Sequence, residues 1–201
     1  MEFLKNIPFI FVAFMLFLFV LNMRYRKTNR QQQETEDAFW ERERLANATR
    51  KQDISNLPYI TIPKEIIPSN LPTDSVKTLE SLSQQQILNL TGKTNTDLKL
   101  EYGVANLEFL SACDERFIDL VNALLDCSKD LLDANRSNEA KQLLEYAVSI
   151  QADAKPLYLR LAKLYLEEGN PSAIDSLIAS ANELNSLSKD GIVADLKSLN
   201  A

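Results

Sequence analysis

Hydrophobic and polar positions divide this chain into two regimes. Ile7 to Leu21 is an unbroken apolar run in which twelve of fifteen residues are Phe, Leu, Ile or Val. From Asp74 onward, apolar residues instead recur at three- and four-residue intervals, the spacing of one face of a helix. The run would span about 22 Å as a helix, short of the ~30 Å hydrocarbon core of a bilayer. Phe3, Leu4 and Met23 lengthen it, and Lys5 can snorkel to the interface, so the pattern predicts a transmembrane helix over Phe3–Met23. Insertion of the twelve large apolar side chains is favourable by about 4–7 kcal/mol before the cost of Lys5.

The order of charges gives the anchor a direction. Arg24, Arg26, Lys27 and Arg30 follow the run, and only Lys5 stands before it. A cleaved secretory signal has its bases first and small residues after the apolar stretch. The reversed order here predicts an uncleaved, single-pass anchor with the body on the cytoplasmic side, in the plasma membrane if the source is bacterial.

Residues 24–52 predict a polar juxtamembrane helix; its stretch 31–52 is highly charged and free of Gly and Pro, and Phe39 and Trp40 interrupt the polarity there. Residues 53–73 carry Pro58, Pro63, Pro68 and Pro72, which forbid a helix, and their isoleucines suit a strap lying on the body better than a free linker. Residues 74–201 predict a helical domain. Val76, Leu79, Leu82, Ile87 and Leu90 fit one helix ending at Thr91-Gly92, and Thr94 begins a cap for a helix over 97–112. Further helices are predicted over 115–134, 138–151, 156–168, 172–185 and 189–199, joined by turns short enough to make neighbours antiparallel. The fold class expected is all-α, with an N-terminal transmembrane helix followed by an antiparallel helical-hairpin array.

Charge and composition narrow the chemistry. Residues 31–201 carry 17 Lys and Arg against 27 Asp and Glu, a balance that argues against nucleic-acid binding and predicts a body standing off anionic lipid. The chain has no histidine, which removes the commonest general base and metal ligand. Its four glycines form no phosphate-cradling cluster, and Cys113 and Cys127 lie in apolar helical patterns as buried free thiols. Asn47, Asn89 and Asn135 start N-x-S/T triplets, which matter only if the body is exported. No catalytic, cofactor, metal or small-molecule site is predicted.

A repeat gives the helical region its most specific signal. At a shift of 34 residues Leu124 falls on Tyr158, Cys127 on Leu161, Ser128 on Ala162, Leu131 on Tyr165 and Asn135 on Gly169. Past that turn the shift is 33, with Ala140 on Ala173, Leu144 on Leu177 and Ala147 on Ser180. Small residues at Ala162 and Ala173 let two helices approach closely, large ones at Tyr158, Leu161 and Tyr165 fill the space between hairpins, and Gly169 or Asn135 supplies a left-handed helix end. Over about 121–185 this order resembles the tetratricopeptide repeat. It departs from that pattern by one residue at Pro171 and by the absence of a closing proline at Ala152.

The resemblance implies a concave surface for a partner protein, with Asn122, Lys129, Asp133, Leu159, Lys163, Leu166 and Glu167 facing it. Leu125 and Leu159 stand where relatives that clamp a C-terminal carboxylate have polar residues, so that mode is not expected. The function expected is a non-catalytic, membrane-anchored scaffold for protein–protein interaction. The alternative is a structural subunit of an envelope or translocation complex with the body on the other side of the membrane.

Overall fold

The computed structural model describes residues 7–200, with the side chains of Ile7–Ile10 and Ala13 outside that description. The fold is all-α. Among the described residues its eight α-helices are α1 (Ile7–Ala48), α2 (Asp74–Leu82), α3 (Asn95–Tyr102), α4 (Val104–Asp133), α5 (Ser137–Ser149), α6 (Lys155–Glu167), α7 (Ser172–Asn182) and α8 (Lys189–Leu199). Among the described residues, the only β pairing is an isolated antiparallel bridge between Ile60 and Ile87. No helix among the described residues is long and apolar enough to cross a membrane. The predicted anchor begins at Phe3, so its first residues lie outside the described ones.

Helix α1 runs for 42 residues without a break, about 63 Å at the usual rise. Its far end is held by the body. Ala46 is fully buried, Arg42 pairs with Asp97, and Glu43 takes hydrogen bonds from Lys99 Nζ (2.8 Å) and from the Thr96 hydroxyl. The Glu43 and Lys99 side chains are only 17% and 18% exposed, so this pair is shielded more than a typical surface salt bridge. After Ala48 the chain stays pinned, as the Gln52 N–H donates to the Tyr102 carbonyl (3.0 Å) and Asn106 Nδ2 donates to that of Gln52 (2.9 Å).

These contacts make the junction acid-sensitive. The bond from Lys99, reinforced by Thr96, holds the Glu43 carboxyl below its ordinary value of 4.5. A carboxyl lowered by folding stabilises the folded state above its unfolded value, and that contribution fades as pH falls through the folded value. Docking of α1 therefore weakens below about pH 4.5, and Glu43→Gln flattens that part of the acid profile. Trp40, the chain's single tryptophan, lies one turn away and reports the change by fluorescence.

The proline-rich segment packs on the body. Ile62 and Pro68 are buried, while Ile60, Ile66, Ile67 and Leu71 pack against the main core. The Ile60 N–H donates to the Ile87 carbonyl (2.9 Å), and the Tyr146 hydroxyl of α5 donates to that of Thr61 (3.1 Å).

Two sequence expectations fail here. The helix beginning near Val76 ends at Leu82, well before Gly92. Beyond it the chain is extended, which sends Ile87 into the main core and Leu88 and Leu90 into a second, smaller core with Leu98, Leu110 and Cys113. Adjacent residues reaching opposite sides is what extended backbone provides and a helix does not. The two helices expected over 97–112 and 115–134 are also redivided. The break falls at Gly103 (φ 85°, ψ 150°), and α4 then runs continuously from Val104 through Asp114-Glu115. Thr94 does cap α3: its hydroxyl accepts the Asp97 N–H (3.2 Å) and Asp97 Oδ2 accepts the Thr94 N–H (2.9 Å).

The C-terminal helices stack in sequence. Neighbours pack from α4 to α5, α5 to α6, α6 to α7 and α7 to α8, and α6 also meets α8. Three turns close alike, with Asn135, Gln151 and Gly169 all at positive φ. After α4, the Arg136 N–H donates to the Leu131 carbonyl (2.8 Å) and the Asn135 N–H to that of Leu132 (3.0 Å). Ala152 and Asn170 repeat the longer bond after α5 and α6, the double closure of a Schellman helix end.

The small residues differ in role. Ala162 is fully buried, whereas Ala173 is half-buried at the edge of a shallow groove of about 430 Å³ lined by Tyr165, Leu161 and Leu177. Ala162→Leu is therefore expected to cost about 1–3 kcal/mol by overpacking. Ala173→Leu, which can fill the groove, should leave the thermal midpoint nearly unchanged in the same melting experiment.

Candidate interaction surface

The seven residues expected to face a partner do not share one surface. Lys129 lies with Asp126 and Asp130 of α4 against Pro72, Thr73, Asp74 and Ser75, around a cleft of about 470 Å³. Here Ser75 Oγ donates to Asp130 Oδ2 (2.8 Å), so the cleft is polar and already knitted together. Leu159 and Lys163 line a different groove of about 570 Å³ between α4 and α6, with Leu132, Lys155, Pro156 and Arg160. Asn122, Asp133, Leu166 and Glu167 are exposed but line neither.

The α4/α6 groove has an apolar floor and a basic rim. Leu132, Pro156 and Leu159 form the floor, and Lys155, Arg160 and Lys163 surround it. The helix repeat produces this, because Lys155, Leu159 and Lys163 recur every four residues and share one face of α6. Pro156 fits because it stands in the first turn of α6, where a missing N–H costs no bond. Arg160 donates from Nη1 to the Leu125 carbonyl (2.7 Å) and to the Ser128 hydroxyl, tying α6 to α4 across the groove. Lys155 pairs with Asp195 (2.6 Å) and Lys141 of α5 with Glu168 (2.7 Å), while Lys163 forms no ion pair among the described residues. Arg160 and Leu132 were missed from the sequence because their place depends on how α4 and α6 cross. Lys155 and Pro156, one turn before Leu159, are likewise absent from the residues the repeat resemblance implies.

A second cleft, of about 340 Å³, opens where the strap, the Asn89–Thr91 segment, the end of α5 and the α7–α8 turn converge. Asn89 Nδ2 spans it, donating to the carbonyls of Ile150 (3.2 Å) and Gln151 (3.3 Å). Its lining mixes polar groups with Pro58, Ile60, Ile150 and Leu184, and Asp153 is the one charged residue in it.

The reactive groups are quiet. Burial pushes the Cys127 thiol up to about 11 and raises that of Cys113 against the opposing pull of Arg116, so neither is a thiolate at neutral pH. Burial also pushes the Tyr158 hydroxyl up to about 12, and it has no hydrogen-bond partner among the described residues. Among the described residues no group of His, Cys, Asp and Glu is arranged to hold a metal ion.

No known family profile matches the chain, and no characterised protein or solved structure shows significant similarity to it.

Proposed function

We propose that this protein is a membrane-anchored, non-catalytic scaffold whose tetratricopeptide-like helical hairpins offer the α4/α6 groove to a partner protein on the cytoplasmic face. The observation that carries this reading is the continuity of α1, which begins in the apolar run and ends locked to α3. A flexible tether would let the body wander; a rigid helix holds its surface at a set height, as a platform requires. The anchor itself rests on the sequence. It needs Phe3–Ile10 as well as Phe11–Met23 to reach spanning length, and the basic cluster behind it favours a cytoplasmic body. The repeat identity rests on the residue order over 121–185, and the three matching helix ends between α4 and α7 support it.

Proximity labelling on intact membranes tests the reading as a whole. Labelled neighbours that depend on Leu159 and Lys163 are the expected result. A single tight complex recovered in fixed stoichiometry would instead favour a subunit of a larger assembly. Digestion of residues 31–201 by protease added to intact cells would overturn the orientation, and extraction of the full chain by alkaline carbonate would overturn the anchor.

A further inference from the structure

Helix α1 carries an apolar feature that none of the described residues covers. Phe39 and Trp40 stack edge-to-face with ring centroids 5.3 Å apart, yet remain 52% and 61% exposed. They stand beside the docked end of α1 without joining that contact. Lipid is out of reach on the anchor reading. Met23 ends the apolar stretch, and the pair lies about 25 Å further along the helix, whereas a headgroup layer is about 5–7 Å deep. A tilt of up to about 40° still leaves the rings beyond it.

The charges around the pair are as informative. Glu34 and Glu41 are matched by Arg30 and Arg44 on the same helix. Glu36 and Asp37 have no cation within pairing distance among the described residues, and helical spacing puts Glu36 on the face of Phe39 and Trp40. This acidic–aromatic segment is the complement of the α4/α6 groove, where an apolar floor of Leu132, Pro156 and Leu159 is rimmed by Lys163 and Arg160.

We propose that the Glu36–Trp40 segment of α1 docks in the α4/α6 groove of a second copy of this chain. The rings cover the apolar floor, and Glu36 and Asp37 pair with Lys163 and Arg160. The segment cannot reach its own groove. The chain after α1 is pinned at Asn106, in the first turn of α4, whereas Leu132 lies in the last turn, about 39 Å away along the helix. Two copies of α1 lying side by side in parallel would instead set like charges of the acidic stretch against each other. The two patches differ, so two arrangements are open to the contact: reciprocal exchange closes an isologous pair, and one-way, head-to-tail exchange builds a ring or a string. This inference rests on the reading of the α4/α6 groove as a protein-binding surface.

The full chain in detergent micelles provides the test. A zero-length reagent that condenses carboxylates with amines, applied to a mixture of isotopically light and heavy chains, should join Lys163 of one copy to Glu36 or Asp37 of another. In sedimentation, Trp40→Ser should weaken self-association about thirty-fold, as expected for an aromatic anchor. Lys163→Glu should weaken it about tenfold, because attraction becomes repulsion. Mixing the Lys163→Glu chain with one carrying Glu36→Lys and Asp37→Lys should restore association. Phe39, Trp40, Lys163, Glu36 and Asp37 are all exposed, so these variants should fold as the parent does.

A chain that remains single at the highest soluble concentration overturns the proposal, as does association indifferent to Trp40 and Lys163. If such a single chain still gives Lys163-dependent labelling of other proteins on membranes, the scaffold reading stands and this one falls. If the chain self-associates as described but labels no other protein, the groove is taken up by the chain itself and the scaffold reading falls.

Discussion

Gly103→Ala should destabilise the protein by about 3 kcal/mol or more and loosen the junction between α1 and the body. Two costs act together. Gly103 sits at φ 85° and ψ 150°, a region essentially closed to residues with a Cβ and costing about 1–3 kcal/mol by itself. An added Cβ would also lie 2.5 Å from the Arg50 carbonyl oxygen and 2.9 Å from Lys51 Cα. Those are backbone atoms, so no side chain can swing away to relieve the clash. Relief requires moving residues 50–52, which breaks the bonds from Gln52 to Tyr102 and from Asn106 to Gln52. Gly169→Ala is the control. Gly169 is also left-handed, at φ 72°, but nothing lies within 4 Å of its added Cβ, so only the conformational cost of about 1–2 kcal/mol applies. Thermal melting should rank the two variants in that order, and limited proteolysis should find a new cleavage site near residue 50 only in Gly103→Ala. Equal losses would mean that the close approach of Arg50 to Gly103 does not form in solution.

Leu144→Ala should cost about 2–5 kcal/mol, since a large-to-small change in a core leaves a cavity that neighbours fill only in part. Leu144 is fully buried on α5, the helix that packs against both α4 and α6, so no exposed edge is available to close over the void. Leu187, in the turn before α8, is fully exposed, and Leu187→Ala should change stability by no more than about 0.5 kcal/mol. Denaturant titration with an unchanged slope would assign the difference to the folded state.

How far each element was legible follows from where its information resides. Helices α5 to α8 were readable to within a few residues because each is a short periodic segment bounded by its own turn residues. Asn135 and Gly169 announced two left-handed ends, and both occur. Residues 83–112 were misread because their local pattern is ambiguous. Ile87, Leu88 and Leu90 fit a helical face as well as an extended segment, and only the existence of two cores decides between them. The break expected between residues 112 and 115 contains no breaker, whereas Gly103 breaks the chain at a backbone geometry set against Arg50, distant in sequence. For the candidate surface, the repeat resemblance points to Leu159 and Lys163, and both line the α4/α6 groove. Lys129 was grouped with them by repeat equivalence, and the structure gives it to a different cleft because α2 and the strap cover that side of α4.

The unbroken course of α1 has one more consequence. With both Arg42 and Glu43 fastened to α3 and no glycine or proline between Arg24 and Ala48, that stretch of α1 has no swivel between it and the body. Whatever grips the early turns of that rod sets the compass bearing of the whole body, and a twist applied there arrives at the far side as a turn of every helix in the stack.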